Sequence, residues 1–269
     1  MNGTIVGLTF RQLAGKRRTF FIFLVALLPV ALAVVFRIAA DEDFSVNRGE
    51  VFSRPQEWTA KVLLSNLIVA TFLPLAALVF GTAALGSEIE DGTATYLLAK
   101  PIPRWQVLLS KLFVAAILTA AVIVPIVIVA GAIGIAGQPT TYHFAGQTGD
   151  VGNGYGIITG FAIAAIGGAI AYCALFVTLS VFTGRAFITG LVYVFLWEGA
   201  VTRLFSGTRV LSIRQYTFGL AERIADTDPN VFDARLGGPA AIVLLVLVTI
   251  LAAWLGVRRL ERFEIGETS

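Results

Sequence analysis

EIEDGTATYLLAKPIPRWQVLLSK, residues 88–111, is a polar island between two long apolar runs. Three acids, Glu88, Glu90 and Asp91, stand at its start, followed by a Gly92-Thr93 step and an apolar turn, Tyr96-Leu97-Leu98. Lys100-Pro101-Ile102-Pro103-Arg104 comes next, and Lys111 stands at the mouth of the following apolar run. A loop that merely joined two spans needs fewer residues and less pattern. The order of acids, glycine and apolar turn predicts a helix that breaks and restarts at a membrane face, and the segment reads as a docking element. The competing reading is a solvated loop whose acids cap helix ends. Acids on the inner face oppose the positive-inside trend, so Lys100, Arg104 or a partner's basic residues are the candidates to compensate them.

The composition around this island is that of a membrane protein. The chain is 57% hydrophobic and 14% charged, and its mean hydropathy is +0.84. Soluble domains average roughly 45–50% apolar and about 25% charged. Net charge is +3, but the basic residues gather at the ends of apolar runs, which points to membrane topology and not to nucleic acid. The single cysteine, Cys173, and the single histidine, His143, exclude a disulfide framework and clustered metal sites.

Six apolar runs cover about residues 19–38, 62–85, 108–135, 157–182, 186–205 and 239–257. Each approaches the ~20 residues that cross a ~30 Å hydrocarbon core. The runs are continuous and do not alternate, so an all-α integral membrane protein with six transmembrane helices is expected, not a barrel. Residues 1–18 read as a short amphipathic helix on the cytoplasmic surface, with Ile5, Leu8 and Leu13 at partly helical spacing; a frayed basic tail is the alternative. Lys16-Arg17-Arg18 ahead of an apolar run resembles a cleaved signal, but that run exceeds the about 7–15 residues of a signal core, so a retained first span is expected. Pro29, Pro74 and Pro125 fall inside runs and predict kinks.

With both termini cytoplasmic, eleven Lys/Arg lie inside and nine outside. Lys16-Arg17-Arg18 and Arg258-Arg259 abut spans, whereas most outer arginines are diluted by acids, so this orientation is preferred. Gly156, Gly160, Ala164 and Gly168 form a small-residue stripe in the fourth run that predicts close helix packing. In the outer loop, 206–238, Val210, Ile213, Thr217, Leu220 and Ile224 predict an amphipathic helix at the outer membrane face, with Gly219 arguing for an irregular loop instead.

Catalytic and nucleotide motifs are missing. There is no GxxxxGK[ST] loop, no HExxH and no GxSxG. Ser65, Thr71, Thr178, Ser180 and Thr189 lack an activating partner within the spans and read as interhelical hydrogen-bond groups. Glu198 is a charge inside the fifth run, beside Trp197. It is either a functional group or a carboxylate that snorkels to the outer interface. Asn66 in the second run has the same ambiguity.

The island resembles the signature loop of ABC type-2 permeases, the membrane subunits of ATP-driven transporters with a separate ATPase chain. The resemblance rests on Glu88-x-x-x-Gly92-Thr93, Leu97-Leu98, Pro101, Arg104 and Lys111. It implies a permease that works as a dimer with a second copy or a related permease, above two cytoplasmic P-loop ATPase subunits. Mg-ATP would then belong to the partner, with no cofactor on this chain. It also implies that residues 86–107 form the coupling loop, with Glu88, Glu90, Asp91, Gly92, Thr93, Pro101, Arg104 and Lys111 in it. The route would run between permeases along the second and fifth spans, making Asn66 and Glu198 pathway candidates. Export, membrane lipid around the spans and a prokaryotic plasma membrane follow from the same resemblance. The alternative is a non-transporting scaffold or sensor that binds a cytoplasmic partner through the same loop.

Overall fold

The structure, a computed structural model, describes residues 3–14, 22, 24–43, 58–90, 92, 102–135, 141–144, 147–150, 154–204, 206–225 and 236–262. Helices dominate. They are α1 (Gly3–Ala14), α2 (Leu28–Asp43), a π-helical segment π1 (Thr59–Phe72) running on as α3 (Leu73–Glu90), and α4 (Arg104–Ile135). A hairpin of β1 (Thr141–Phe144) and β2 (Gln147–Asp150) follows. Then come α5 (Gly154–Phe182), α6 (Ala186–Val192) continuing as a second π-helix, π2 (Tyr193–Val201), a short turn Thr202–Leu204, a 3-10 turn Ser206–Leu211, α7 (Ile213–Ala225) and α8 (Gly238–Glu261).

Among the described residues, four helices are long and apolar enough to cross a membrane: Thr59–Ile89, Arg104–Ile135, Gly154–Phe182 and Gly238–Glu261. Two further apolar helices, Leu24–Ile38 and Ala186–Val201, are shorter. The second of these would reach only about 24 Å at 1.5 Å per residue, less than a ~30 Å core. The helices also overrun the apolar runs. α3 continues to Glu90 and α4 begins at Arg104, so the loop expected over 86–107 has helical ends.

α5 is the centre of the bundle, packed by α3, α4, α7 and α8. Its small-residue stripe explains this closeness. A side chain at Gly160 would meet the Ala221 carbonyl oxygen at 2.7 Å, and one at Gly168 would meet Thr217 at 2.5 Å and Leu73 at 2.7 Å. Ala164 is fully buried, and Gly156 is half-buried. The stripe therefore packs within the subunit, against α7 and α3. Gly219, which argues against a helix by propensity, sits inside α7, where a Cβ would overlap Ala241 of α8. Contact, not backbone preference, selects glycine there.

The prolines act differently from simple kinks. Leu27 forms a turn, its N–H bonding Leu24 O at 3.2 Å, and Pro29 lies in the first turn of the restarted α2. Pro74 lies where π1 passes into α3, inside the continuous helix Thr59–Ile89, and Pro125 lies inside α4. Of the span hydroxyls read as interhelical groups, Thr178 fits, donating to Ala252 O of α8 at 2.7 Å. Thr71, Ser180 and Thr189 bond carbonyls of their own helices instead, as hydroxyls with a nearby backbone acceptor do.

Gly168→Leu is expected to destabilise the detergent-solubilised protein by about 1–3 kcal/mol through overpacking. Gly7→Ala, where a Cβ meets nothing within 4 Å, is expected to leave the melting temperature level or slightly raised. Thermal scans of the two variants check this.

Candidate functional site

The ends of four helices meet where the acidic island begins. Glu88 sits in the last turn of α3 and Lys111 in the second turn of α4. Lys111 Nζ lies 2.7 Å from Glu88 Oε1 and donates to Ala84 O at 2.7 Å. Lys111 is 1% exposed and Glu88 17%. The ammonium thus neutralises the first acid and also satisfies a carbonyl near the negative end of α3. Sequence reasoning left Lys111 at the mouth of a span and offered Lys100 and Arg104 as the compensating charges. The helical start at Arg104 carries Lys111 inward instead, beside Glu88.

Arg104 has a different task. Its Nη1 donates to Leu260 O and, at 2.9 Å, to Glu261 O, the last carbonyls of α8. Helix C-termini leave such carbonyls without intrahelical partners, and a cation there also meets the macrodipole. Arg259 lies 5.7 Å from the Phe182 ring at the end of α5, and Arg258 stacks over Trp254 at 3.9 Å. The first two turns of α4 therefore bind the ends of α3 and α8, with the end of α5 alongside. Gly92 adopts φ +68, the left-handed conformation that glycine tolerates, and its N–H bonds Ile89 O. This is the break after α3 that the sequence predicts. Glu90 closes α3; Asp91, Thr93 and Pro101 lie outside the described residues.

The second polar centre lies about halfway along the bundle. Glu198, in π2, is 2% exposed. Its Oε1 accepts from Tyr172 Oη at 3.2 Å, Tyr193 Oη at 3.3 Å and the Ile213 N–H at 3.0 Å. Its Oε2 accepts from Ser212 Oγ. This carboxylate does not snorkel. Tyr172 is eighteen residues into α5, about 27 Å from its start at 1.5 Å per residue. The difference arises because the chain doubles back after π2: Thr208 bonds Val201 O and Arg209 bonds Thr202 O. α7 then begins at the level of Glu198 and runs along α5, from Thr217 beside Gly168 to Ala225 beside Gly160. The helix expected at the outer face is instead packed among α5, α8 and π1, and even Arg214 is buried.

Asn66 is not brought to Glu198. It is exposed, and its Nδ2 donates to Lys61 O at 2.8 Å while Thr71 Oγ1 donates to Asn66 O at 3.0 Å. Both bonds span five residues, the spacing of a π-helix, as does Leu73 N–H to Ile68 O. Asn66 and Glu198 nevertheless share one feature: each lies in one of the two π-helical segments among the described residues. Single-turn π-bulges are frequent at functional sites, and no hydrophobic periodicity reveals the longer π segments here.

Apolar helices long enough to span mark the chain as an integral membrane protein. Residues 4–264 match the family described as ABC-2 family transporter protein, and the chain belongs to that family. It is an ABC transporter permease of the membrane, and the family implies association with an ABC ATPase. No curated protein matches the chain.

Lys111→Met is expected to destabilise the protein by about 3–5 kcal/mol, since a buried ion pair loses one partner. The double variant Glu88→Gln/Lys111→Met is expected to recover part of that loss. A double-mutant cycle on thermal or denaturant unfolding checks it; simple additivity would deny the coupling.

Proposed function

We propose that this permease exports its cargo as a dimer, with a second copy or a related permease, on two cytoplasmic P-loop ATPase subunits that hydrolyse Mg-ATP. This chain has no catalytic role and carries no cofactor of its own. Residues 88–111 couple the ATPase to the spans. The observation that carries this reading is the double clasp of Arg104 and Lys111. Together they tie the start of α4 to the ends of α3 and α8, so a push on the loop acts on several helices at once. Glu88, Glu90, Asp91, Gly92, Thr93 and Pro101 complete the coupling element.

Six spans cross the plasma membrane of a prokaryote, with both termini cytoplasmic. The short fifth span fits this reading because α7 packs on in the outer direction beyond it. α1 lies at the inner surface, its Ile5, Thr9 and Leu13 buried and its Leu8 and Phe10 turned outward. Lipid covers exposed apolar positions of α8 such as Val243, Val246 and Ile250. The route follows the second and fifth spans, and three observations support that. π1 and π2 lie in those spans. Asn66 is exposed on the former. An apolar cavity of about 530 Å³ also opens between Ile22, Phe72, Leu75, Val79, Val122 and Phe187. Export is the direction by family tendency, and the modest outer connections, about residues 39–61, 136–156 and 206–238, agree with it.

Purification in mild detergent of the chain expressed with its native neighbours tests the proposal. A stoichiometric P-loop ATPase is expected, and Arg104→Ala should keep the complex while lowering its ATP turnover several-fold. Recovery of the chain alone, or with a partner lacking ATPase activity, would replace the transporter mechanism with a scaffold.

A further inference from the structure

Glu198 is enclosed in a way that a cargo-binding carboxylate is not. Both oxygens already accept hydrogen bonds, four in all, from three separate pieces of chain. Tyr172 belongs to α5, Tyr193 to π2 itself, and Ser212 and Ile213 to the start of α7. Ser212 is the residue just before α7, and its Oγ also accepts the Gln215 N–H at 3.4 Å. The carboxylate therefore stands at the N-terminus of a buried thirteen-residue helix, against the positive end of its dipole. Thr202 Oγ1 bonds the Glu198 carbonyl at 2.8 Å and closes the same turn of π2.

We infer that Glu198 is a positioning residue that pins the N-terminus of α7 to the end of the fifth span and to α5, and so sets the outer wall of the subunit. The alternative, direct contact with cargo, needs a free acceptor direction and an open approach. The carboxylate, 2% exposed and bonded at both oxygens, has no open approach. Without this anchor the Ile213 N–H, the first of α7, would lose its acceptor in a buried surround, while Ser212 O continues to take the Gln215 and Tyr216 N–H groups. α7 also rests on close apolar contact with α5 and α8, at Gly168 and Gly219. Such contact restrains sliding less than a directed hydrogen bond does.

The inference concerns the chain's own geometry and stands apart from the ATPase partner. The test is disulfide formation in full-length chain in native membranes, in a Cys173→Ala background. The reporter pair is Gly168→Cys with Thr217→Cys, joining α5 to α7. A Cβ at Gly168 lies 3.7 Å from Thr217 Cβ, close to the ~3.8 Å mean for a disulfide. The control pair is Gly86→Cys with Ala186→Cys, joining α3 to α6 at the same 3.7 Å. Glu198→Ala is expected to slow oxidation of the reporter pair about tenfold or more, since a charge-assisted anchor is lost and local opening follows. The control pair should be unaffected. Glu198→Gln keeps an acceptor oxygen for Tyr172, Tyr193 and Ile213 and turns an amide toward the Ser212 hydroxyl, so it should stay within about threefold of the parent. Should Glu198→Ala fail to accumulate, Tyr172→Phe with Ser212→Ala, which leaves the carboxylate but removes two donors, should slow the reporter pair by about threefold. An unchanged reporter rate in the alanine variant, or in that double variant, would overturn the inference. So would equal slowing of both pairs. Each readout is independent of ATP turnover, so failure here is distinct from failure to recover an ATPase.

Discussion

Where π2 ends and the chain turns back, Glu198, Thr202 and Ser212 are buried, and their polar groups have to be satisfied by the chain itself. In hydrocarbon an unpaired N–H or C=O loses several kcal/mol, so irregular backbone survives only where protein buries it. The Glu198 carboxylate meets this demand at a single point. It takes the Ile213 N–H and the Ser212 hydroxyl from α7 and two tyrosine hydroxyls from the helices beside it. The charge itself would be prohibitive unpaired; four donors and a helix N-terminus make the site tolerable. The other features of this half of the molecule follow from that arrangement. α7 can begin deep in the bundle, α5 needs glycine at 160 and 168 to admit it, and α8 needs Gly219 to close over it.

The opposite end obeys the same constraint with the opposite charge. Helix C-termini present carbonyls, so cations serve there. Lys111 reaches Ala84 O and Glu88, while Arg104 reaches the last carbonyls of α8. Both cations come from one short piece of α4. A buried ion pair of this kind adds little to stability relative to an apolar pair, and fixing register is its best-attested use. Here it sets how far α3 and α4 can slide past each other.

Much of this was legible before the structure, and the failures share a cause. Run length and composition located four helices long and apolar enough to cross a membrane, and the island's order of acids, glycine and apolar turn located the break that Gly92 makes. The small-residue stripe identified the packing face of α5. Depth was what the sequence concealed. Counting residues along the fifth run placed Glu198 near the outer interface, because a straight crossing was assumed and the doubling back at 206–211 leaves no periodic signal. The same blindness turned α7 into a surface helix: its stripe of Ile213, Thr217 and Leu220 is real, but the opposite face, with Arg214, is buried too. π-Helices escaped because a five-residue hydrogen-bond step barely alters an unbroken apolar run. Lys111 was misplaced by one structural fact, the helical start at Arg104, which turns a loop residue into a core one.

The two polar centres are not isolated from each other. From the Lys111–Glu88 pair, Gly86 of α3 lies against Ser180 of α5 and Ala186 of α6. One turn further along, Gly190 of α6 admits Leu78 and Phe176 so closely that no side chain fits. Phe176 meets the Tyr193 ring edge-on at 6.1 Å, and Tyr193 donates to Glu198. Contiguity of this kind transmits nothing by itself; coupling requires an element with two arrangements that both ends bias. At Gly86 and Gly190 the base of α6 packs closely on α3, through Ala186 at the first and the Leu78 side chain at the second. Through Tyr172 and Tyr193 the Glu198 hydrogen bonds continue that packing to the start of α7.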